Sequence, residues 1–394
     1  MAGKKNKQDI NITNVLSHVS NHLLNFFDTK QACVIRLISK EYKQYVESFK
    51  WADKETNIIS SIENWSKCLP NAIEASIDSK YQIVDSDFQF FTKLSFLRIP
   101  NQHRITDVAF SYLINIKLLD ITACKLITKD AFQYLSSLEA LKMYECYQIT
   151  DDAFENLHNL EELYINDCDQ LTDDALKNLV NLKEITMRNC TNITNHAFVN
   201  LNKIQRLDIS GCDNDELTDD VFALLPNLRF LDMEGCSQFT DDISKYLINL
   251  EELNINECDQ FTDDVFEFIE NLTFLDISYC QLITNRAFCH FKKLEILIMI
   301  GCDQNEITNE AFIHLGNITN LDISYCTQNS ITNEAFVPLK KMISLSMKDC
   351  SQETITSDIF EHFKNLRYLD MRNCSQIKEA GMVFASEKPF TVHF

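Results

Sequence analysis

The chain has 394 residues, 24% of them charged and 45% hydrophobic, a balance that describes a water-exposed globular protein. No run of about 18 apolar residues interrupts it, so no membrane span is expected, and the basic start Met1–Lys7 has no apolar core behind it of the kind a secretory leader needs. The net charge of −22 is uneven: residues 1–60 carry nine Lys/Arg and six Asp/Glu, and the remainder carries 27 and 52, a balance that repels nucleic acid and anionic lipid and favours a basic partner.

Residues 1–10 are polar and expected to be disordered. Residues 11–50 carry apolar residues at helical spacing. Val15, Leu16, Val19, Leu23, Leu24, Phe26 and Phe27 form one stripe. Asp28-Thr29 punctuates and can cap a second stretch through Ala32, Ile35, Leu37 and Ile38. Ser39 can cap a third through Tyr42, Tyr45 and Val46. Residues 51–71 read as a connecting helical segment.

From residue 72 one frame dominates. Leu138 to Leu157 spell L-x-x-L-x-M-x-x-C-x-x-I-T-D-D-A-F-x-x-L. The frame recurs from Leu160, Leu182, Ile204, Leu228, Leu250, Leu272, Leu294, Ile318, Met342 and Leu366, and upstream from Ile116 and Leu94. One slot holds Cys124, Cys146, Cys168, Cys190, Cys212, Cys236, Cys258, Cys280, Cys302, Cys326, Cys350 and Cys374, at spacings of 22 or 24 residues, with Gln102 in the slot before them. A degraded unit precedes these, with Ala72, Ala75 and Ile77 in the strand positions, which gives about fourteen units over 72–394. The alternating apolar pair predicts a short strand, and Thr followed by acids predicts a helix start. Phe and Leu three apart then pack behind the strand, and stacking closes a core that no single unit can close.

The frame resembles the cysteine-containing class of leucine-rich repeats. The resemblance implies an α/β solenoid, a horseshoe with parallel strands on its concave face. The period is shorter than that class usually shows, and Phe stands where Gly-Leu is common. No C-x-x-C occurs, so the cysteines read as small buried residues that need a reducing compartment, cytoplasmic or nuclear, and of one's own or a host cell. Cys33, Cys68 and Cys289 lie outside the ladder.

Residues 15–42 resemble an F-box, the helical module that docks a Skp-type adaptor of cullin–RING ubiquitin ligases. Leu23-Leu24-x-Phe26-Phe27-Asp28 stands where that motif has its apolar run ending in Leu-Asp. Leu37-Ile38-Ser39-Lys40-x-Tyr42 stands where it has an apolar pair, Val-Ser-Lys and Trp. Val15-Leu16 replaces the motif's Leu-Pro, Gln31 its second acid and Tyr42 its Trp. The resemblance implies an adaptor-binding set of Val15, Leu16, Val19, Leu23, Leu24, Phe26, Phe27, Asp28, Leu37, Ile38 and Tyr42, and an F-box directly before such repeats implies a substrate receptor. Two other readings stay open: a plain helical cap on an interaction scaffold, and an effector directed at a host's ligases, in keeping with an Asn/Ile/Lys-rich, glycine-poor composition. An extracellular adhesin fits the thiol ladder poorly.

Target binding is expected on the strand face. Its central position reads Asp120, Lys142, Tyr164, Thr186, Asp208, Asp232, Asn254, Asp276, Ile298, Asp322, Ser346 and Asp370. The acids form either a strip for a basic ligand or a common, well-solvated spelling of the repeat. Ile296, Ile298 and Ile300 would all face outward from one strand, as a contact patch or as a surface covered by a loop or by the tail, residues 389–394. Two-residue insertions follow the cysteine at Asp213–Glu216, Asp303–Glu306, Thr327–Ser330 and Ser351–Thr354, on what is either a binding edge or a tolerant loop. The nine scattered histidines and six glycines give no metal site, no phosphate loop and no catalytic constellation, so no cofactor and no enzymatic activity are expected.

Overall fold

The computed structural model describes residues 29–37, 40–53, 56, 58, 61–377, 379, 383–384 and 391–393. The chain divides into two compact units, Met1–Ile149 and Thr150–Phe394.

The first unit opens with two helices, α1 (Thr29–Arg36) and α2 (Lys40–Ser48), within the second and third predicted helical stretches. The Arg36 guanidinium donates Nη2 to Glu47 Oε1 at 2.5 Å and ties them together. The predicted first helix and its residues Val15 to Asp28 lie outside the described residues, as does Ile38. A parallel ladder then begins at β1 (Ala52–Asp53), ahead of the first unit read from the sequence and inside the segment expected to be helical. Helix α3 (Ile62–Cys68) follows, its amide at Asn64 bonded to the Ser61 hydroxyl. Strands β2 (Glu74–Ser76), β3 (Phe96–Arg98), β4 (Leu118–Asp120) and β5 (Ala140–Lys142) continue in sequence order. Trp65 explains the early start: its Nε1 donates to Asp53 Oδ2 at 2.9 Å and its ring meets Phe91 edge-on, so the connecting segment is already built against the first repeats.

The second unit continues the same construction. Its strands are β6 (Glu162–Tyr164), β7 (Glu184–Thr186), β8 (Arg206–Asp208), β9 (Phe230–Asp232), β10 (Glu252–Asn254), β11 (Phe274–Asp276), β12 (Ile296–Ile298), β13 (Asn320–Asp322), β14 (Ser344–Ser346), β15 (Tyr368–Asp370) and β16 (Thr391–His393). All pair in parallel, each with the next in sequence. The repeat makes this so. In Arg206-Leu207-Asp208-Ile209, Leu207 and Ile209 are buried in the core and Arg206 and Asp208 face the other way, so stacking neighbours in register closes a continuous apolar column. Each unit is therefore a stretch of α/β solenoid.

The segment behind the strands differs from the predicted helix. It is a 3-10 helix of four or six residues in nearly every repeat, with Ala131 N bonded to Thr128 O and Ala197 N to Thr194 O; Asp173–Leu176 alone, among the described residues, closes as one α-helical turn, α4. A 22-residue period leaves room for little more than one turn, and the tighter i to i+3 bond fits it.

Four side-chain ladders join neighbouring repeats. Cys212 Sγ donates to Met187 O at 3.0 Å, and Cys236, Cys258 and Cys302 repeat the pattern. Gln238 and Gln260 donate to the carbonyls of Cys212 and Cys236. Asn181 and Asn271 donate to the carbonyls of His158 and Ile248. Lastly, the first acid of each T-D-D triplet accepts both the amide and the hydroxyl of the next repeat's threonine. Asp241 takes Thr262 N at 3.0 Å and Thr262 Oγ1 at 2.6 Å. The acids were expected to serve the helix end; their principal bonds run between repeats. Gln102, in the cysteine slot, is fully buried and satisfied by Ile83 N and Tyr81 O.

Candidate protein-binding face

The residue before each cysteine slot sits in the left-handed region, with φ between 55° and 68° from Asn101 to Asn373. This turn ends the strand and sets the rim of its open face. Most occupants are Asn, Asp, Glu or Gly, which tolerate the conformation or bond locally. Ala123 departs from this, and so, with bulky side chains, do Tyr279 and Tyr325, at φ 61° and 62°, which are 44% and 42% exposed. Bulky side chains in this region are strained, and such strain gathers where a surface has a task.

The open strand face of the second unit changes chemistry along its length. At β8 and β9 the expected acidic pair is present, but it is neutralised from within. Arg188 donates Nε to Asp208 Oδ2 at 2.6 Å and an Nη2 hydrogen to Asp232 Oδ2 at 3.0 Å. Ser210 Oγ lies 2.8 Å from Asp208 Oδ1 and 2.7 Å from Asp232 Oδ1, and Asn254 Nδ2 donates to Asp232 Oδ1 at 3.0 Å. Both carboxylates are buried. Burial, with the Asp232 charge next to it, holds the Asp208 carboxyl above the ordinary carboxylate range even with Arg188 in place. Flanking them, Arg206 lies over the Phe230 ring at 3.9 Å.

At β12 the face is apolar. Ile296, Ile298 and Ile300 are all half-buried and point away from the core, while Leu297 and Met299 fill it. Together with Ser324, Tyr325, Ser346, Lys348, Asp370 and others they line a concavity of about 480 Å³. Asp276 and Asp322 stand in register with Ile298 on either side. Lys348 Nζ donates to the Tyr325 hydroxyl at 2.6 Å, and Arg372 closes a two-pronged pair on Asp370. Burial would raise the Asp370 carboxyl, but the Arg372 side chain and amide outweigh it and hold the group below the usual range.

The tail does not cover this patch with residues 391–393. They form β16 and add a further rung, Thr391 beside Tyr368. Of the adaptor-binding set, Leu37 is described and 85% exposed, and Tyr42 lies in α2. The sequence reading missed Arg188 and the rim tyrosines. The signal for Tyr279 and Tyr325 was present: each directly precedes a slot cysteine, a position the repeat otherwise gives to small or polar residues. Among the described residues, no group of three or more His, Cys, Asp or Glu is placed to share a metal, and no helix is long and apolar enough to cross a membrane.

Profiles of known families match most of this region. The BspA type leucine-rich repeat region (6 copies) matches residues 64–178 and 148–273, and the Zer-1-like leucine-rich repeats match residues 263–352. No curated protein matches the sequence significantly. Among solved structures, one from the yeast Rad7–Elc1 complex covers 99% of this chain and 98% of its own, at 18% identity and a TM-score of 0.54. A leucine-rich-repeat protein of Leptospira interrogans covers 89% and 96%, at 17% identity and 0.60. A structure of the Drosophila Toll–Spatzle complex covers 80% of this chain and 49% of its own, at 16% and 0.51. At these identities the likeness is one of fold.

Proposed function

Since the chain belongs to the leucine-rich-repeat family, a fold of stacked units that leaves its strand face open for protein binding, we propose that it serves as the substrate receptor of an SCF-type cullin–RING ubiquitin ligase. The N-terminal segment docks a Skp-type adaptor and the strand face of residues 150–394 selects the target. Transfer chemistry belongs to other subunits. The run Leu23-Leu24-x-Phe26-Phe27-Asp28, directly before the repeats, carries this reading. The yeast structure that matches over nearly the whole of both chains is likewise one of a complex of two proteins, Rad7 and Elc1. A reducing cytoplasmic or nuclear setting accords with twelve slot cysteines held as thiols.

The test is a pull-down of purified Skp-type adaptor by the full chain, with Leu24→Asp/Phe27→Asp as the control. Binding that the control loses supports the receptor. No binding by the folded chain overturns it.

A second reading rests on β1 and Trp65. Helices α1 and α2 lead into β1, which joins the ladder, and Trp65 of the next helix packs on Phe91, so that this segment closes the open end of the solenoid. On that reading the chain is an interaction scaffold without a ligase, and the same pull-down separates the two.

A further inference from the structure

Five carboxylates occupy the central strand position in the second unit: Asp208, Asp232, Asp276, Asp322 and Asp370. All five lie in the same local turn, Oδ1 accepting an amide two residues on, as Asp276 does from Ser278 N at 2.8 Å and Asp322 from Ser324 N at 2.9 Å. Their cations differ. Arg188 answers Asp208 and Asp232, and Arg372 answers Asp370. In the first unit Arg98 answers Asp120 in the same way, Nε to Oδ2 at 3.0 Å. Among the described residues no Lys, Arg or His pairs with Asp276 or Asp322. These two stand on either side of Ile298, one strand away each, which places their backbones roughly 10 Å apart.

Asp276 is costly as it stands. Burial, and the charges of Glu234 and Asp232, hold the Asp276 carboxyl above the ordinary range despite its bonds to Ser278. Ile298 between the two is half-buried and turns the rest of its aliphatic surface into the concavity. The rim beside it carries the two strained tyrosines, and Tyr279 leaves its ring against Gly301, where an added Cβ would come within 2.6 Å of it. An apolar floor, an aromatic rim and carboxylates at both sides are complementary to one kind of side chain: a long aliphatic stem ending in a positive charge.

We propose that the strand face over β11–β13 takes an arginine of a partner protein, its stem on Ile298, its guanidinium at Asp276 or Asp322, and a neighbouring aliphatic or aromatic residue of the partner against Ile300 and the Tyr279–Tyr325 rim. The chain's own pairs supply the precedent, since a guanidinium already occupies this position at Asp120, Asp208, Asp232 and Asp370. The inference rests on the strand face being the target-binding surface and adds what that surface selects.

The experiment pans a displayed library of random linear peptides over the immobilised full chain. Enriched peptides are then titrated against the wild type, Ile298→Glu and Asp276→Asn/Asp322→Asn, each shown to melt as the wild type does. The expected peptides carry Arg within two residues of an aliphatic or aromatic residue. Ile298→Glu abolishes their binding, and the paired Asn variant weakens it by about tenfold or more, the equivalent of one charge-assisted hydrogen bond. Peptides without a basic preference, an affinity the Asn pair leaves unchanged, or no enrichment at all overturn the arginine. Peptides that Ile298→Glu removes but the Asn pair does not touch leave the strand face as the binding surface with a different occupant. Peptides indifferent to both variants remove the strand face as well.

Discussion

Asn195 accepts the backbone amide of Thr218 through Oδ1 at 3.0 Å and donates through Nδ2 to the Thr218 hydroxyl at 2.7 Å. Elsewhere the partner is an acid and the hydroxyl donates, as Thr262 does to Asp241. The reversed polarity recurs at Asn285–Thr308, Asn309–Thr332 and Asn333–Thr356. These four asparagines precede the four repeats with two inserted residues. The insertion brings a carbonyl to the site: Asn195 N donates to Glu216 O at 3.4 Å and Asn285 N to Glu306 O at 3.3 Å. A carboxylate there would face that oxygen among inserted acids. Asn195→Asp is therefore expected to lower stability by about 1–2 kcal/mol, whereas Asp241→Asn, with no such carbonyl, costs under about 1 kcal/mol. Urea denaturation of the two variants reads the difference.

Arg188→Met should destabilise the second unit by about 1–3 kcal/mol, because it leaves Asp208 and Asp232 charged, buried and adjacent; the half-exposed arginine keeps the figure below that of a fully buried pair. The pH dependence follows from Asp208. Its folded value lies above the ordinary carboxylate value, so protonation favours the folded state, and stability falls as pH rises through that folded value. The penalty of Arg188→Met is expected to be full at neutral pH and to shrink in mild acid. Melting temperatures at the two pH values, compared with the wild type, measure it.

The thiol ladder makes the fold sensitive to alkali. Burial pushes Cys124, Cys190, Cys236, Cys258 and Cys302 up to about 12 from an ordinary 9.0. For an acid whose folded value is raised, the contribution is present below the unfolded value and is lost as pH climbs through the folded one. Stability should decline steeply above the ordinary thiol pKa, each tenfold difference in proton affinity between the folded and unfolded chain weighing about 1.4 kcal/mol. Iodoacetamide at neutral pH should label the exposed Cys289 and spare the slot thiols until the chain unfolds, which peptide mapping distinguishes.

Gly235 and Gly301 share a backbone conformation, φ 67° and 65°, and differ in surroundings. A Cβ on Gly235 meets nothing within 4 Å, whereas one on Gly301 would press into the Tyr279 ring. Gly235→Ala should cost about 1 kcal/mol, the left-handed backbone alone. Gly301→Ala should cost more, and the excess should vanish in a Tyr279→Ala background. A double-mutant cycle isolates the contact.

The repeat frame made the strands, the buried cysteines and the outward isoleucines legible, because each depends on residues two or three apart in sequence. Arg188 was not legible: it bonds acids 20 and 44 residues on, through register that only stacked strands create. The Thr–Asp bonds between repeats escaped for the same reason. Within one repeat, Thr followed by acids reads as a helix cap, and Thr172 and Thr262 do cap their turns at the amides of Asp174 and Asp264; the shorter bonds, to Asp151 and Asp241, reach back one repeat. The predicted helix became a 3-10 turn because helical spacing of Phe and Leu does not reveal how few residues the short period leaves. The early strand β1 carries no repeat frame at all and is held by Trp65, a contact the spacing could not announce.

The ladders of cysteine, glutamine, asparagine and threonine donors also have a direction: Cys212 donates back to Met187, Gln238 to Cys212, Asn271 to Ile248 and Thr262 to Asp241. In each, the donor belongs to the later repeat and the acceptor to the earlier one. A ribosome releases the chain in that same order. Every newly emerged repeat brings its cysteine and glutamine donors to finished acceptors on the one before it, whereas strand amides run the other way, Ile209 N to Asp232 O and Gly211 N to Glu234 O, so a chain halted midway keeps those side-chain donors satisfied and leaves such amides of its last strand to water. Shortening from the C-terminus therefore leaves the cysteine and glutamine ladders complete behind the cut, while shortening from the N-terminus strips those donors of their acceptors in the preceding repeat.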